Sequence, residues 1–350
     1  VTRNIGYYVH HQGAGHRQRA GAIAAAFEGK ATLIGTGLAE SNLDLPLLDL
    51  PDDRLGDGAF DGDDRTDTPP PLHYAPLDHA GVRLRVAAIS SWIADAHPDL
   101  MVVDVSVEVA MLARLASVPI VYMRLSGRRG DRPHCDAFAS AAALIAPFAE
   151  VLDDPATPDR IRDKTFYAGN IVRPAPVQEV EPDTVLVVAG RGGEMADGTR
   201  WAQAAAAVPD RRWRVIGPVR PPSAMPGNIV YSGWIEDAER AIAAAGIVIG
   251  AAGDGLVSAV LAYDRPFICF PEVRAFDEQA SKAARLAQLD AAIVPAIWPD
   301  AQNWRILIDA AVQQPHRRPA VLRTNDGADR AAQFLAQLVD KQRGSAEQAG

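Results

Sequence analysis

The sequence predicts an α/β fold with two Rossmann-like domains facing a central cleft. Two observations predict it. Short apolar runs alternate with alanine-rich helical segments in each half of the chain, and such alternation builds mostly parallel sheets covered on both faces. In each half, one apolar strand also leaves through a glycine-punctuated turn into a helix. The first turn is His10-His11-Gln12-Gly13-Ala14-Gly15-His16-Arg17 after Ile5–Val9, and the second is Ala251-Ala252-Gly253-Asp254-Gly255 after Ile247–Gly250. Glycine permits a sharp turn and close approach to a ligand. The helix that follows turns unpaired N–H groups and its positive dipole end toward that ligand. The pair implies a cleft enzyme acting on a phosphorylated small molecule.

The elements follow in order. Ile5–Val9 reads as a buried strand, Arg17–Phe27 as a helix and Ala31–Gly35 as a second strand. Residues 51–76, rich in Asp, Gly and Pro, read as a surface loop. Then come a helix over Leu77–His97, a strand over Leu100–Val105, a helix over Val107–Ala116 and a strand over Pro119–Arg124. Ala137–Ala143 reads as a helix and Leu144–Ala146 as a strand. Residues 1–172 thus form an amino-terminal Rossmann-like domain. Arg173–Pro182, with its prolines and acidic residues, reads as an inter-domain linker. Residues 183–325 form the second domain, with strands over Thr184–Ala189, Trp213–Gly217, Ile229–Ser232, Ile247–Gly250 and Pro266–Phe270. Ala331, Phe334, Leu335 and Leu338 fall at helical spacing. Residues 326–350 are therefore expected to be a helix packing back on the first domain, with a frayed end over 344–350.

Composition narrows the class. The 350 residues are long for one core, which favours two domains. The net charge of -9 argues against a general nucleic-acid surface. Cys135 and Cys269 lie far apart, without metal or redox spacing, and read as thiols of a reducing compartment. The start lacks a signal-peptide pattern and no stretch reaches membrane-spanning length, so a cytoplasmic location is expected.

His16, at the end of the first turn, is the candidate catalytic base, placed where open α/β sheets bind ligands. A helix-capping role is its bland alternative. His11, Gly13 and Gly15 belong to the same loop, and His10 is a weaker candidate. Gly190-Arg191-Gly192-Gly193 leaves an apolar strand and can cradle phosphate. It matches neither a dinucleotide fingerprint nor a Walker loop, so no NAD or ATP cofactor is predicted. Asp277-Glu278-Gln279 can pair with vicinal sugar hydroxyls, or cap a helix over Ala280–Leu289. Asp61-Gly62-Asp63-Asp64 looks like an Asp-x-Asp metal motif, but it sits in the acidic loop and reads as solvated charge. No His, Cys or carboxylate cluster has metal spacing, so no required metal is expected.

Together these pieces resemble GT-B glycosyltransferases, and most nearly the N-acetylglucosaminyltransferases that complete the lipid-linked peptidoglycan precursor. The resemblance covers nearly the whole chain. Gly13-Ala14-Gly15-His16 is similar to the family's amino-terminal loop. Gly169-Asn170-Ile171-Val172-Arg173 is similar to its inter-domain crossing, with Ile171 where proline is usual. Gly190–Gly193 stands in place of its phosphate-facing loop, and Trp234-Ile235 in place of the backbone that reads a uracil edge. Gly253-Asp254-Gly255 and Asp277-Glu278-Gln279 resemble its donor-site signature. The resemblance implies that the carboxyl-terminal domain binds the sugar nucleotide, using these residues and Arg173, and that the amino-terminal domain (residues 1–172) holds the acceptor, with His11, Gly13 and Gly15 in its acceptor-side loop. In that family a glutamate in the helix after the second turn holds the ribose, and Ala259 occupies its place here. Either Asp254 or Ser258 takes over the ribose, or the donor differs. Residues 51–70 hold seven Asp and two Arg, a poor surface for anionic lipid headgroups. A membrane-bound acceptor is therefore not expected.

The sequence reading is a metal-independent glycosyltransferase that moves a hexose-type sugar from a nucleotide diphosphate to a hydroxyl acceptor. Two alternatives stay open. One is a sugar-nucleotide hydrolase of the same fold, and the other a non-catalytic sugar-nucleotide-binding subunit.

Overall fold

The computed structural model describes residues 2–11, 14–40, 43–54, 68–173, 178–190, 197–315 and 317–349. Two wholly parallel sheets face each other. The first has strand order β3-β2-β1-β4-β5-β6-β7. Its strands are β1 (Asn4–Tyr8), β2 (Lys30–Gly35), β3 (Leu47–Asp49), β4 (Leu100–Asp104), β5 (Ile120–Met123), β6 (Ala143–Ala146) and β7 (Thr165–Tyr167). Helices α1 (Ala14–Ala26), α2 (Ala80–Ala96), α3 (Val107–Leu115), α4 (Arg132–Ser140) and α5 (Asp159–Arg162) accompany them. All five residues of β4 are buried, which is why that strand is a continuous apolar run up to Asp104.

The second sheet has the order β10-β9-β8-β11-β12. It contains β8 (Glu181–Val188), β9 (Arg212–Ile216), β10 (Ile229–Gly233), β11 (Ala245–Gly250) and β12 (Phe267–Cys269). Its helices are α6 (Gly198–Ala207), α7 (Ala238–Ala244), α8 (Asp254–Ala262), α9 (Glu278–Gln288) and α10 (Ala301–Val312). One last helix, α11 (Gly327–Ala349), returns to the first sheet. Its Ala331, Ala332, Leu335 and Val339 share a buried core with Ala20 and Ile23 of α1. Phe334 stacks on Phe166 at 4.4 Å, and ion pairs Arg3–Asp340 and Arg343–Asp99 close at 2.9 and 2.8 Å.

Several boundaries differ from the sequence reading. The expected linker 173–182 ends early, because β8 begins at Glu181 and takes in Pro182. The tail expected to fray is helical through Ala349. The helix expected over Ala137–Ala143 runs instead over Arg132–Ser140, with a proline in its first turn, where a missing N–H costs nothing. Ala143 opens β6. Strands β3 and β7, three residues each, are too short to show periodicity.

The chain crosses back at Gly169 and Asn170. Asn170 Nδ2 donates to the carbonyls of Leu322 and Thr324 at 2.7 and 2.8 Å. Gly169 has φ +85°, and a Cβ there would lie 2.6 Å from Thr324 Oγ1. Both terms oppose a side chain. Gly169→Ala is therefore expected to cost about 1–3 kcal/mol of stability, read as a lower midpoint in urea unfolding.

Candidate functional site

Between the sheets lies a cavity of about 1240 Å³, lined by the carboxyl ends of strands from both. The starts of α1 and α8 meet across it. A Cβ on Gly15 would lie 3.9 Å from the Gly255 nitrogen. Gly253 is the N-cap of α8 and makes no side-chain cap, so the first turn of that helix presents backbone N–H groups at the cavity.

His16, in the first turn of α1, lines this cavity. Its Nδ1 lies 3.1 Å from Asp104 Oδ1 and 3.0 Å from Arg19 Nη2. Asp104 ends β4 and is fully buried. Arg19, one turn after His16 on α1, holds both Asp104 oxygens through Nη2 at 2.9 Å. Burial pushes the Asp104 carboxyl up, but Arg19 and then His16 outweigh it and hold it at about 2. Arg19 continues across the cleft to Asp254 Oδ2 at 3.4 Å, and Asp254 Oδ1 pairs with Lys282 of α9. Burial works against the Asp254 charge, yet Lys282 and Arg19 hold its carboxyl below the usual range. His10 stands beside His16, with ring centroids 5.6 Å apart. Burial, followed by His16 and His11, pushes His10 down to about 3. His11 Nδ1 faces Asp53 Oδ1 at 3.6 Å.

Of the residues singled out from sequence, His11, Gly15, His16, Gly190, Trp234, Ile235, Gly253, Asp254, Gly255, Glu278 and Gln279 line the cavity. Gly13, Arg191, Gly192 and Gly193 lie outside the described residues, as does the Asp61–Asp64 segment. Arg173 and Ser258 line a small adjoining pocket instead of the main one. Asp277 is 58% exposed, off the cavity and 3.6 Å from Arg128. It precedes α9 in the left-handed region and makes no side-chain cap hydrogen bond, so the expected capping contact is not made.

The remaining two members of that signature have structural partners. Gln279 Oε1 accepts from the backbone N–H groups of Ala252 and Glu272, at 3.1 and 2.9 Å. It ties the turn after β11 to the start of α9. Glu278 Oε2 accepts from Arg129 Nη2 of the opposite lobe at 2.8 Å. Arg128 N–H donates to the Phe276 carbonyl at 2.7 Å beside it. The lobes are thus joined at a second place. Asp254, with both oxygens held by cations, is a poor partner for a ribose.

Sequence reasoning missed several cavity groups. Asp104 carried a legible signal, an acid ending an apolar strand, and Arg19 is spaced i+3 from His16 on one helix face. Glu239, in the first turn of α7, lines the cavity close to Arg173, whose N–H it accepts at 3.4 Å. Burial pushes its carboxyl up. His73, Asp131 and His134 come together with ligand atoms within 4.8 Å of one another. Sequence spacing hid this cluster, which is the one group of metal-ligand composition among the described residues. Phe276, at φ +60°, packs its ring on His134 at 4.7 Å. No helix among the described residues is long and apolar enough to cross a membrane.

The two facing lobes define the class of fold: the chain has the GT-B architecture of glycosyltransferases. Its particular likenesses are to solved structures at low identity. It is similar to the spinosyn forosaminyltransferase SpnP, at 12% identity and TM-score 0.72 over 97% of this chain and 100% of that one. It is similar to UGT2 of Phytolacca americana, complexed with UDP-2-fluoroglucose and pterostilbene, at 13% identity and TM-score 0.68 over 97% and 99%. It is similar to MurG of Acinetobacter baumannii, at 15% identity and TM-score 0.62 over 97% and 100%. No protein-family model and no curated protein matches the chain.

Burial depresses His134 to about 4, helped by Arg129, and His10 to about 3. Below about pH 6.5 the unfolded chain takes up protons that these folded imidazoles refuse. Their stabilising contribution is complete above that pH and is lost as pH falls through the folded values. The melting temperature is expected to drop steadily between pH 6.5 and 4, and less steeply in His134→Asn. An equal slope in both proteins would remove His134 from this account.

Proposed function

We propose that this protein transfers a hexose-type sugar from a nucleotide diphosphate to a hydroxyl of an apolar acceptor, with His16 as the base. The observation that carries the reading is the His16–Asp104 pair at the meeting point of α1 and α8. His16 Nδ1 faces both Asp104 Oδ1 at 3.1 Å and Arg19 Nη2 at 3.0 Å, and because Arg19 Nη2 is also shared by the two Asp104 oxygens, the tautomer proposed is the one in which Nδ1 donates to Asp104. The lone pair then sits on Nε2, the nitrogen that takes a proton from the attacking hydroxyl. Asp104, ionised and buried, steadies the imidazolium that forms, as the carboxylate does in other His–Asp pairs. The acceptor hydroxyl loses its proton to His16 as its oxygen forms the bond to the anomeric carbon. The bond from that carbon to the diphosphate breaks, and the diphosphate leaves with the electron pair.

The N-terminus of α8 faces the departing charge with backbone N–H groups and its dipole. This arrangement supplies electrostatically what a cation would supply, and no metal or further cofactor enters the proposal. The cavity exceeds the usual volume for one small molecule, in keeping with two substrates. On the first lobe its wall is apolar, with Val82, Val86 and Ile89 of α2 and Val109 and Leu112 of α3. Such a wall favours an organic acceptor over water and over a charged lipid headgroup, and so speaks against the hydrolase alternative. The similarly folded plant structure holds UDP-2-fluoroglucose together with pterostilbene, the same pairing of a nucleotide sugar with a second organic molecule. In the donor lobe, Glu239 supplies the carboxylate that the Ala259 position lacks, and it holds the vicinal hydroxyls of the nucleoside.

His16→Ala and Asp104→Asn are each expected to lower kcat by about 10²–10⁴-fold with little change in donor affinity. Steady-state kinetics with calorimetric donor binding measures both. Near-normal turnover in folded His16→Ala would leave the chain without a base. Glu239→Ala should weaken a sugar nucleotide and the free nucleoside diphosphate alike, by about 10-fold or more. Selective weakening of the sugar nucleotide would place Glu239 at the sugar instead.

A further inference from the structure

The cavity carries a second histidine–carboxylate pair that the reaction above does not use. His73 lies in the loop before α2 and lines the cavity. Its backbone N–H and that of Tyr74 donate to Glu108 Oε1 at 2.7 and 2.9 Å, so the loop is pinned to the start of α3. Its ring Nε2 lies 2.6 Å from Asp131 Oδ2. The other oxygen of Asp131 lies 2.7 Å from His134 Nδ1. His134 Nε2 lies 3.0 Å from Arg129 Nη1, and Arg129 Nη2 reaches Glu278 across the cleft.

Proton positions along this chain follow from its arginine end. A guanidinium only donates, so His134 Nε2 must accept, and the proton of that ring sits on Nδ1. It is donated to Asp131. Burial raises the Asp131 carboxyl, but its hydrogen bonds with His73 and His134 hold it below the usual range. Asp131 is therefore a carboxylate that also accepts from His73 Nε2. In the neutral ring this leaves the lone pair on His73 Nδ1, which has no partner among the described residues.

A metal ion is the competing reading of the three side chains. Arg129 opposes it. With Nδ1 on a metal, His134 would carry its proton on Nε2, pointing one N–H at another across 3.0 Å. The ion would also stand beside a guanidinium, and a ligating histidine needs an acceptor on its far nitrogen.

We propose that His73 is a second hydroxyl-holding position in the cleft, where Nδ1 of the His73–Asp131 pair accepts a hydrogen bond from a second hydroxyl of an acceptor lying against Val109 and Leu112. The ligand class is an apolar, polyhydroxylated molecule such as an aromatic diol. This rests on the acceptor reading above and adds a site that His16 does not provide. Arg129 orients the pair through His134 and is itself held by Glu278, so the second site is set only when the two lobes are together.

The test is calorimetric titration of the wild type and His73→Phe with 2-naphthol and with 1,5-, 2,6- and 2,7-dihydroxynaphthalene. One added hydrogen bond is expected to make at least one diol bind about 3–10-fold tighter than 2-naphthol. That margin should vanish in His73→Phe, with 2-naphthol itself unchanged. Binding of 2-naphthol without a diol margin, or a margin that survives His73→Phe, overturns the second site alone. Failure of every probe to bind overturns the apolar-acceptor reading and takes the second site with it. Imidazole ¹⁵N shifts should show His73 bare at Nδ1 and protonated at Nε2, and the reverse tautomer overturns the relay. Stoichiometric Co²⁺ binding with tetrahedral ligand-field bands, lost in His73→Phe, would make the cluster a metal centre instead.

Discussion

The cleft is organised around a buried line of charge that runs from His16 through Asp104, Arg19 and Asp254 to Lys282. Two carboxylates alternate with two cations, so the line is neutral overall although Asp104 is fully buried and Arg19 and Lys282 nearly so. Burying any one of these charges alone would be prohibitive, and removal of one partner strands the others. Neutrality and alternation are what let the line exist. Because Arg19 belongs to the first lobe and Asp254 to the second, the same line that orients the histidine also brings the two helix starts together.

Around that line, the polar residues divide into those that join the lobes and those left to meet a ligand. Arg129 and Glu278 pair across the cleft, and the Phe276 carbonyl accepts from Arg128. Gln279 serves two backbone donors within its own lobe, and one of them belongs to the fully buried Ala252. Leaving such groups without a partner costs more than a new contact returns. Glu278 and Gln279 thus carry structural contacts as well as lining the cavity. The first turn of α8, Glu239, His16 and His73 line the cavity and are the groups to which the proposals assign the ligand.

The legibility of these features followed their range along the chain. Both glycine turns were readable because strand, turn and helix are contiguous, and their geometry is dictated locally by backbone freedom and helix dipoles. The place of His16 at the cavity was readable for the same reason. Asp104 was half legible, as an acid closing the apolar run Leu100–Val103, but nothing local says that α1 lies over β4. Its partnership with His16 spans 88 residues of sequence and appears only once β1 and β4 pair side by side. His73 had no local signal at all, since it sits in a proline-bordered loop 58 residues before its carboxylate.

By itself the sequence determined the alternation of elements, the parallel sheets, the two turns and the return of the last helix, because period, burial and turn chemistry are properties of neighbouring residues. Tertiary structure alone decided which charges meet. It set Asp254 between two cations, placed Asp277 off the cavity, and gathered His73, Asp131 and His134 from distant segments. The physical reason is that electrostatic pairing acts through space at a few ångströms. A buried carboxylate takes its role from the cations that the fold places around it, and the spacing of residues along the chain does not record that placement.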